Sequence, residues 1–341
     1  MNLQAYTVNQ DSKIIEALKK LNVNEGKVIF VIDDDKLVGS ISDGDIRRKL
    51  MDPRPGGESI DYMNTKPSFI IDDEDSYFIR KKLINEGVVI VPIVDGKMSV
   101  IKIINLKKDK LFPVEVVIMA GGEGKRLLPL TANTPKPLIE INGKPIIDYN
   151  YETLRDLGVT SFHISINYLK EQIKQHFNLK EDVKSVKFIE EDKPLGTLGS
   201  LSLIDKIDSE YILIINSDIL TNVNFTNFLD KFIESDCDLG LVSITYSIQI
   251  PYANLKIENN KLVDFEEKPT FDYSVNTGIY LMKKGVLADL PRNQFYNATD
   301  LLRDYLLEGK KIYIHSDHCY WKDIGKIKDL NQAKSDVFNL K

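Results

Sequence analysis

The spacing of apolar and polar residues changes near residue 112. Beyond it, short apolar runs, which predict buried strands, alternate with segments whose apolar residues recur every three or four positions, which predict amphipathic helices. The predicted strands are residues 114–119, 161–166, 186–190, 211–216, 239–246, 276–282 and 311–315. The predicted helices are residues 146–157, 169–177, 198–203, 225–234 and 298–308. This alternation predicts an α/β domain with a Rossmann-like, mixed but mostly parallel sheet that helices cover on both faces.

Residues 1–111 contain a degenerate internal repeat. In each copy a helical pattern stops at Asn-Glu-Gly, and an apolar strand and an acidic turn follow. The two copies span residues 11–34 and 75–95. A charged linker that ends in Pro113 separates this repeat from the α/β region. We therefore expect two domains, 1–111 and 112–341.

A glycine-rich turn, residues 120–124, follows the predicted strand 114–119 directly. Glycines allow backbone N–H groups to approach a phosphate closely, and Arg126 and Lys136 add positive charge beside the turn. The turn differs from the two common phosphate loops. Leu127 stands where the dinucleotide fingerprint needs a third glycine, and Arg126 replaces the Ser or Thr of the Walker loop.

The whole string from 115 to 137, with its glycines, Arg-Leu, Pro-Leu-Thr and Pro-Lys-Pro, resembles the signature of the sugar-1-phosphate nucleotidyltransferases. The resemblance implies that Arg126 faces the β and γ phosphates of a nucleotide and that Lys136 faces the α phosphate. A surface ion pair is the alternative for Arg126. The resemblance also implies a nucleotide-binding backbone at Ala120, Gly121, Gly122 and Gly124.

A second segment, residues 190–200, resembles the Pro-Leu-Gly-Thr-x-Gly segment of the same family, which packs over the base and ribose. The implied nucleotide-binding residues are Glu191, Pro194, Gly196 and Thr197. Uridylyl and thymidylyl members commonly have glutamine where this chain has Glu191. Guanine offers two adjacent N–H donors to an acceptor-only carboxylate, so Glu191 favours GTP over UTP or dTTP. Alternatively, Glu190 and Glu191 are both solvated charges after a strand.

Two aspartates match the family's metal-binding positions. Asp218 ends the apolar run 211–216 after Ser217, and Asp323 lies in Trp-Lys-Asp-Ile-Gly at 321–325. Mg²⁺ takes oxygen ligands and often uses one or two carboxylates together with substrate phosphates. The resemblance therefore implies that Mg²⁺ is the cofactor, although either aspartate alone could cap a turn.

The resemblance also implies a sugar subsite farther along the chain. Lys268, in Phe-Glu-Glu-Lys-Pro, would hold the sugar phosphate and is the third implied catalytic cation. The implied sugar-binding residues are Glu267, Asn276, Thr277 and Gly278. Relatives often have Tyr-Gly-Val-Val beside the sugar, whereas this chain has Tyr-Ala-Asn-Leu at 252–255, so the sugar is left open.

The repeat resembles a tandem pair of CBS domains, most clearly at residues 39–48. Such pairs bind adenine-type nucleotides or form dimers, and the resemblance places ribose and phosphate at Ser42 and Asp45. The alternative is that Ser42 or Asp43 simply caps a helix. The second copy has apolar residues at the matching positions, so at most one well-made nucleotide site is expected.

Composition limits the partners. The net charge of −6 disfavours nucleic acid and anionic membrane surfaces as partners. The chain has no signal-peptide pattern and no run of 18 apolar residues, which predicts a cytoplasmic protein. Cys237 and Cys319 are expected to be free thiols.

Together these resemblances imply that a nucleoside triphosphate and a sugar 1-phosphate react to give a nucleotide sugar and pyrophosphate. A CBS pair before a transferase domain resembles the guanylyltransferases that activate glucosamine 1-phosphate in bacterial nonulosonic (legionaminic) acid pathways. GTP and glucosamine 1-phosphate are therefore the favoured substrates, and a homodimer or higher oligomer is expected. The alternatives are a mannose-1-phosphate guanylyltransferase, a uridylyl or thymidylyl member, and an inactive homologue that senses nucleotides.

Overall fold

The computed structural model of the protein describes residues 1–51, 57–180 and 186–337. The chain divides into two compact units, Met1–Leu111 and Phe112–Lys341. None of the helices in these described ranges is both long and apolar enough to cross a membrane.

The first unit repeats one small β-sheet motif. Its strands are β1 (Thr7–Asn9), β2 (Val28–Asp33), β3 (Lys36–Ser42), β4 (Ile70–Ile71), β5 (Ile90–Val94) and β6 (Val100–Asn105). Its helices are α1 (Leu3–Tyr6), α2 (Ile14–Val23), α3 (Asp43–Leu50) and α4 (Tyr77–Asn85). The strands form two three-stranded sheets, β1-β2-β3 and β4-β5-β6. In each sheet the first two strands are parallel and the last two are antiparallel.

The sequence repeat is therefore also a structural repeat. Phe30 and Leu37 of the first copy cluster with Ile90, Val94 and Ile103 of the second, so the two copies share a core. After β6 the described chain runs into the linker without a counterpart of α3. The absence of a second Ser-x-x-Asp segment thus coincides with the absence of the helix that it would begin.

Among the described residues, the second unit has thirteen strands, and seven of them form one large sheet. Its strands are β7 (Val114–Met119), β8 (Glu140–Ile141), β9 (Lys144–Pro145), β10 (Phe162–Ile166), β11 (Val186–Glu190), β12 (Tyr211–Asn216), β13 (Ile219–Thr221), β14 (Leu239–Gln249), β15 (Asn254–Glu258), β16 (Lys261–Glu266), β17 (Thr270–Lys283), β18 (Ile312–Ser316) and β19 (Trp321–Asp323). Its helices are α5 (Ile146–Asp156), α6 (Lys170–Asn178), α7 (Phe225–Glu234), α8 (Ala298–Leu307) and α9 (Ile327–Asp336).

The strand order is β11-β10-β7-β12-β17-β14-β18, and only β17 runs antiparallel to the other strands of this sheet. Side chains alternate across a strand, so both faces of β7 need a cover. On one face Val117 packs with Leu201 and Leu301. On the other, Tyr151 of α5 lies 4.7 Å from the Phe162 ring of β10. The predicted mixed, mostly parallel sheet with helices on both faces is confirmed.

Several elements differ from their sequence-based expectations. Strands β14 and β17 are longer than predicted and, together with the unpredicted hairpin β15–β16, form an arm at residues 244–276 that is mostly exposed. The predicted α-helix at 198–203 is wrong, because the segment forms a short 3₁₀ helix, Gly199–Leu203. Helix α9 was also not predicted. The pairs β8–β9 and β13–β19 were not predicted either, because strands of two or three residues carry no readable periodicity.

Candidate active site

Four neighbouring strands end at one cavity of about 530 Å³. Met119 and Asn216 end β7 and β12, while Asn167 and Glu191 directly follow β10 and β11, and all four line the cavity. Parallel strands place their carboxyl ends at the same edge of a sheet, which is where ligands bind in open α/β folds. Asn167 and Asn216 were not identified from the sequence as site residues, although their positions at the ends of predicted strands could have indicated this role.

The glycine-rich turn forms one wall of this cavity through Gly121, Gly122 and Gly124. Gly124 has φ of 65°, and a Cβ there would lie 2.9 Å from Thr131, so the sharp turn requires glycine. Ala120 is buried and is not among the residues that line the cavity. Its N–H donates to the Ser165 carbonyl at 2.9 Å. The Ala120 N–H is therefore used within the sheet, and the implied contact of the Ala120 backbone with a nucleotide stays a prediction.

Arg126 is exposed and lines the cavity. A Cβ on Gly325 would lie 3.0 Å from the Arg126 Nη2, so glycine at 325 makes room for the guanidinium. In the described parts of the chain, no acidic residue lies within ion-pair distance of Arg126, although its charge lowers the pKa of Asp323. The guanidinium donors of Arg126 are available to an anion in the cavity.

Lys136, Asp218 and Asp323 come together although they are far apart in the sequence. Strand β13 pairs antiparallel with β19 and sets Ile219 opposite Asp323. The Ile324 N–H donates to the Asp218 carbonyl at 2.9 Å. The Lys136 ammonium donates to Asp218 Oδ2 and lies 3.9 Å from Asp323 Oδ1.

The two carboxylates differ in their surroundings. Asp218 lines the cavity, whereas Asp323 is not among its lining residues. The buried Oδ1 of Asp323 has no hydrogen-bond partner within the described residues. Burial raises the pKa of Asp323, and the neighbouring Asp218 charge raises it further, against the opposing effects of Lys136 and Arg126. An unpartnered oxygen beside a second carboxylate suits a divalent cation. No cluster of three or more metal-ligating side chains occurs among the residues that the structure describes.

Glu190 and Glu191 have opposite environments. The carboxylate of Glu190 is exposed, and hydrogen bonds from Lys170 and Lys174 lower its pKa to about 2. Glu191 is only 6% exposed, and its Oε1 accepts from the Ser165 hydroxyl while its Oε2 accepts from the Leu195 N–H at 3.0 Å. The solvated-charge interpretation therefore holds for Glu190 and is wrong for Glu191.

The loop with Pro194, Gly196 and Thr197 lines the cavity beside Glu191. A segment before α8 fixes this loop: the Tyr296 carbonyl accepts from Leu198 and Gly199, and the Ala298 N–H donates to the Thr197 hydroxyl at 2.7 Å. The same segment adds Phe295 and Asn297 to the cavity wall. Nothing in the sequence pattern pointed to these two residues, because they belong to a loop without a strand before it.

The structure does not bring the implied sugar-binding residues into the cavity. Glu267 and Lys268 are exposed in the turn between β16 and β17, on the arm. Thr277 is buried, and its hydroxyl donates to the Val242 carbonyl at 2.7 Å. The Asn276 amide donates to the Tyr280 hydroxyl. Gly278 packs against Asn216, where a Cβ would lie 2.5 Å from the amide nitrogen. In this structure their contacts are within the protein.

Ser42 and Asp45 form a capping box at the start of α3. The Ser42 hydroxyl accepts from the Asp45 N–H at 3.3 Å, and Asp45 Oδ2 accepts from the Ser42 N–H at 2.8 Å. The capping alternative thus describes the observed contacts of both side chains. An adenine-type nucleotide at this position stays a prediction.

A glycine-rich turn at the carboxyl ends of parallel strands, with cations and one aspartate lining the cavity and a second aspartate close to them, defines an α/β protein with the nucleotidyltransferase fold. The family model described as "Nucleotidyl transferase" matches residues 115–339, and a CBS domain model matches residues 1–52. The chain belongs to the nucleotidyl transferase family.

Individual relatives each match about two thirds of the chain. Mannose-1-phosphate guanyltransferase of Pichia angusta is 31% identical over an alignment of 225 residues, which covers 62% of this chain and 61% of that protein. The chain thus spans about three fifths of the length of that relative. D-glycero-alpha-D-manno-heptose 1-phosphate guanylyltransferase of Aneurinibacillus thermoaerophilus is 27% identical over 66% of this chain and 98% of that protein. The structure of HddC from Yersinia pseudotuberculosis complexed with GMP-PN has a TM-score of 0.51 at 27% identity, covering 66% of this chain and 99% of that one.

Proposed function

We propose that the protein transfers a nucleotidyl group from a nucleoside triphosphate to a sugar 1-phosphate and releases pyrophosphate. The observation that carries this proposal is the convergence of Arg126, Lys136 and the Asp218–Asp323 pair beside a glycine-rich turn. The family to which the chain belongs supports the same reaction.

In the proposed reaction, an oxygen of the sugar phosphate attacks the α-phosphorus and forms a new P–O bond. The bond from that phosphorus to the bridging oxygen breaks, and its electron pair leaves with pyrophosphate. A phosphate monoester is already nucleophilic at neutral pH, so the protein needs no general base. Its residues position the two substrates and offset negative charge, with Lys136 at the α phosphate and Arg126 at the β and γ phosphates.

We propose Mg²⁺ as the cofactor, held by Asp218 and Asp323. The unpartnered Oδ1 of Asp323 and the two-carboxylate donor set fit an ion that takes its remaining ligands from water and phosphate. When bound, Mg²⁺ would neutralise charge on the triphosphate. Lys268, the third implied cation, lies on the exposed arm, and its contact with the sugar phosphate stays a prediction.

We propose GTP as the nucleotide. Glu191 presents a buried, acceptor-only carboxylate at the cavity, which complements the adjacent N1–H and N2–H donors of guanine. The names of the relatives, which are guanylyltransferases for mannose and heptose 1-phosphates, support the same nucleotide.

For the sugar we propose glucosamine 1-phosphate, on the resemblance of the two-domain arrangement to the guanylyltransferases of nonulosonic acid pathways. Mannose 1-phosphate is the second candidate, because mannose-1-phosphate guanyltransferases are prominent among the relatives. We further propose that the enzyme acts in the cytoplasm, where both substrates would be made.

The test is pyrophosphate release with Mg²⁺ from each of GTP, UTP, dTTP, CTP and ATP, paired with glucosamine, N-acetylglucosamine, mannose and glucose 1-phosphates. The proposal predicts the highest kcat/KM for GTP with glucosamine 1-phosphate. Asp218→Asn should abolish this activity, whereas Asp192→Asn, an equal charge change at an exposed residue, should retain it. No pyrophosphate release from any pair would contradict the proposed reaction and favour the nucleotide-sensing alternative.

A further inference from the structure

The ammonium of Lys136 lies between two carboxylates that the fold forces together. It donates a hydrogen bond to Asp218 Oδ2 and lies 3.9 Å from Asp323 Oδ1. Lys136 is only 8% exposed, so its charged side chain has little contact with water. Within the described residues, these two aspartates are the only acidic partners that the ammonium has.

Each side of this arrangement needs the other. Asp218 directly precedes β13, and Asp323 ends the paired strand β19 opposite Ile219, so two negative charges lie close together and repel each other unless a cation lies near them. A buried ammonium is equally costly without an anion. The lysine charge therefore offsets the charges of both carboxylates, while its hydrogen bond occupies Asp218 Oδ2, an oxygen that a divalent cation would bind.

We infer that Lys136 is an internal counterion that occupies the cation position until a triphosphate arrives. The lysine and a divalent cation compete for Asp218 Oδ2 and for the space beside Asp323 Oδ1. The glycine-rich turn at 121–124 lines the cavity together with Lys136, so a triphosphate bound there attracts the ammonium away from Asp218. Nucleotide binding then makes the carboxylates available to the cation, and the two ligands bind with positive coupling. This inference rests on the metal site in the proposed function.

The inference can be tested without turnover by measuring Mn²⁺ binding in the absence of nucleotide, from the electron paramagnetic resonance signal of free Mn²⁺. Lys136→Met keeps the length and apolar stem of the side chain and removes its charge. We expect Lys136→Met to bind Mn²⁺ about tenfold more tightly than the wild type, since a cation beside the carboxylates no longer repels the ion. Adding Asp218→Asn to this variant should abolish the gain.

The matched control is Lys125→Met, which removes the same charge from the same loop. Lys125 is exposed and pairs with Glu123, without a contact to either aspartate. Equal Mn²⁺ affinities for the two variants, or no gain in Lys136→Met, would overturn the inference. Lys136→Gln provides the same comparison if Lys136→Met does not unfold cooperatively.

The outcomes also separate this inference from the proposed metal site. If wild type and Lys136→Met bind Mn²⁺ equally well, the counterion role is wrong and the metal site stands. If neither binds Mn²⁺ and Mg²⁺ does not affect pyrophosphate release, both the counterion role and the proposed metal site are wrong.

Discussion

Glu191→Gln is expected to weaken selection of GTP while leaving the fold intact. In the wild type, Glu191 Oε2 accepts from the Leu195 N–H and Oε1 accepts from Ser165. A carboxylate has about four acceptor sites, so two remain for a ligand. The glutamine oxygen must face the Leu195 N–H, which leaves the NH₂ group facing Ser165 and the cavity. The Ser165 hydroxyl can rotate to accept from that group, whereas guanine N–H donors cannot.

The size of the effect follows from losing one bidentate contact to the base. Such a contact contributes about 1–3 kcal/mol of discrimination, or a factor of about 5 to 150. The assay is pyrophosphate release with saturating sugar 1-phosphate, from which kcat/KM is obtained for GTP and for UTP. The ratio of these two values should fall by that factor in Glu191→Gln.

Glu190→Gln is the matched control, because it makes the same chemical change one residue away at an exposed side chain that pairs with Lys170 and Lys174. Its GTP-to-UTP ratio should equal that of the wild type. A Glu191→Gln protein with wild-type melting behaviour and an unchanged ratio would refute the assignment of Glu191 to guanine. A wild type that prefers UTP would refute it as well.

Three further predictions concern catalysis, stability and pH. Arg126→Ala should lower kcat/KM about 100-fold in the pyrophosphate assay, because it removes a cation that offsets phosphate charge. Glu115→Gln should lower the free energy of unfolding in urea by about 1–3 kcal/mol, since the buried carboxylate accepts from His163, Ser161 and two backbone N–H groups. Burial, partly offset by the Asp317 charge, lowers the pKa of His315. As the pH drops from 7 to 5, His315 is therefore protonated in the unfolded chain before it is protonated in the folded protein, and the free energy of unfolding should fall. His315→Gln should flatten that dependence.

Controls for these predictions are available at exposed positions. Glu140→Gln changes an exposed glutamate, and an equal loss of stability in this variant would contradict the role of the Glu115 network. His318→Gln removes an exposed histidine and should leave the pH dependence unchanged. An Arg126→Ala enzyme with normal kcat/KM would exclude Arg126 from the reaction.

The sequence predicted the parts of the fold that bury a continuous apolar pattern. Strand β7 and helix α7 were predicted with their observed bounds. Both bury apolar side chains along their whole length, so the apolar pattern in the sequence extends from one end of each element to the other. The arm at 244–276 lies largely in water, so its strands carry no comparable pattern. The segment at 198–203 had apolar residues at helical spacing, yet it is too short for an α-helix and forms a 3₁₀ turn.

By itself, the sequence determined the class of site: a glycine-rich turn with Arg126 and Lys136, and carboxylates after strands. Only the tertiary structure decided which of these groups meet. It placed Asp218, just before β13, and Asp323, on the paired strand β19, near the Lys136 ammonium. It also buried Glu191 while Glu190 stayed in water, and it left Lys268 on the exposed arm. The physical reason is that hydrophobic periodicity specifies local elements, whereas strand pairing and side-chain desolvation depend on residues far apart in the chain.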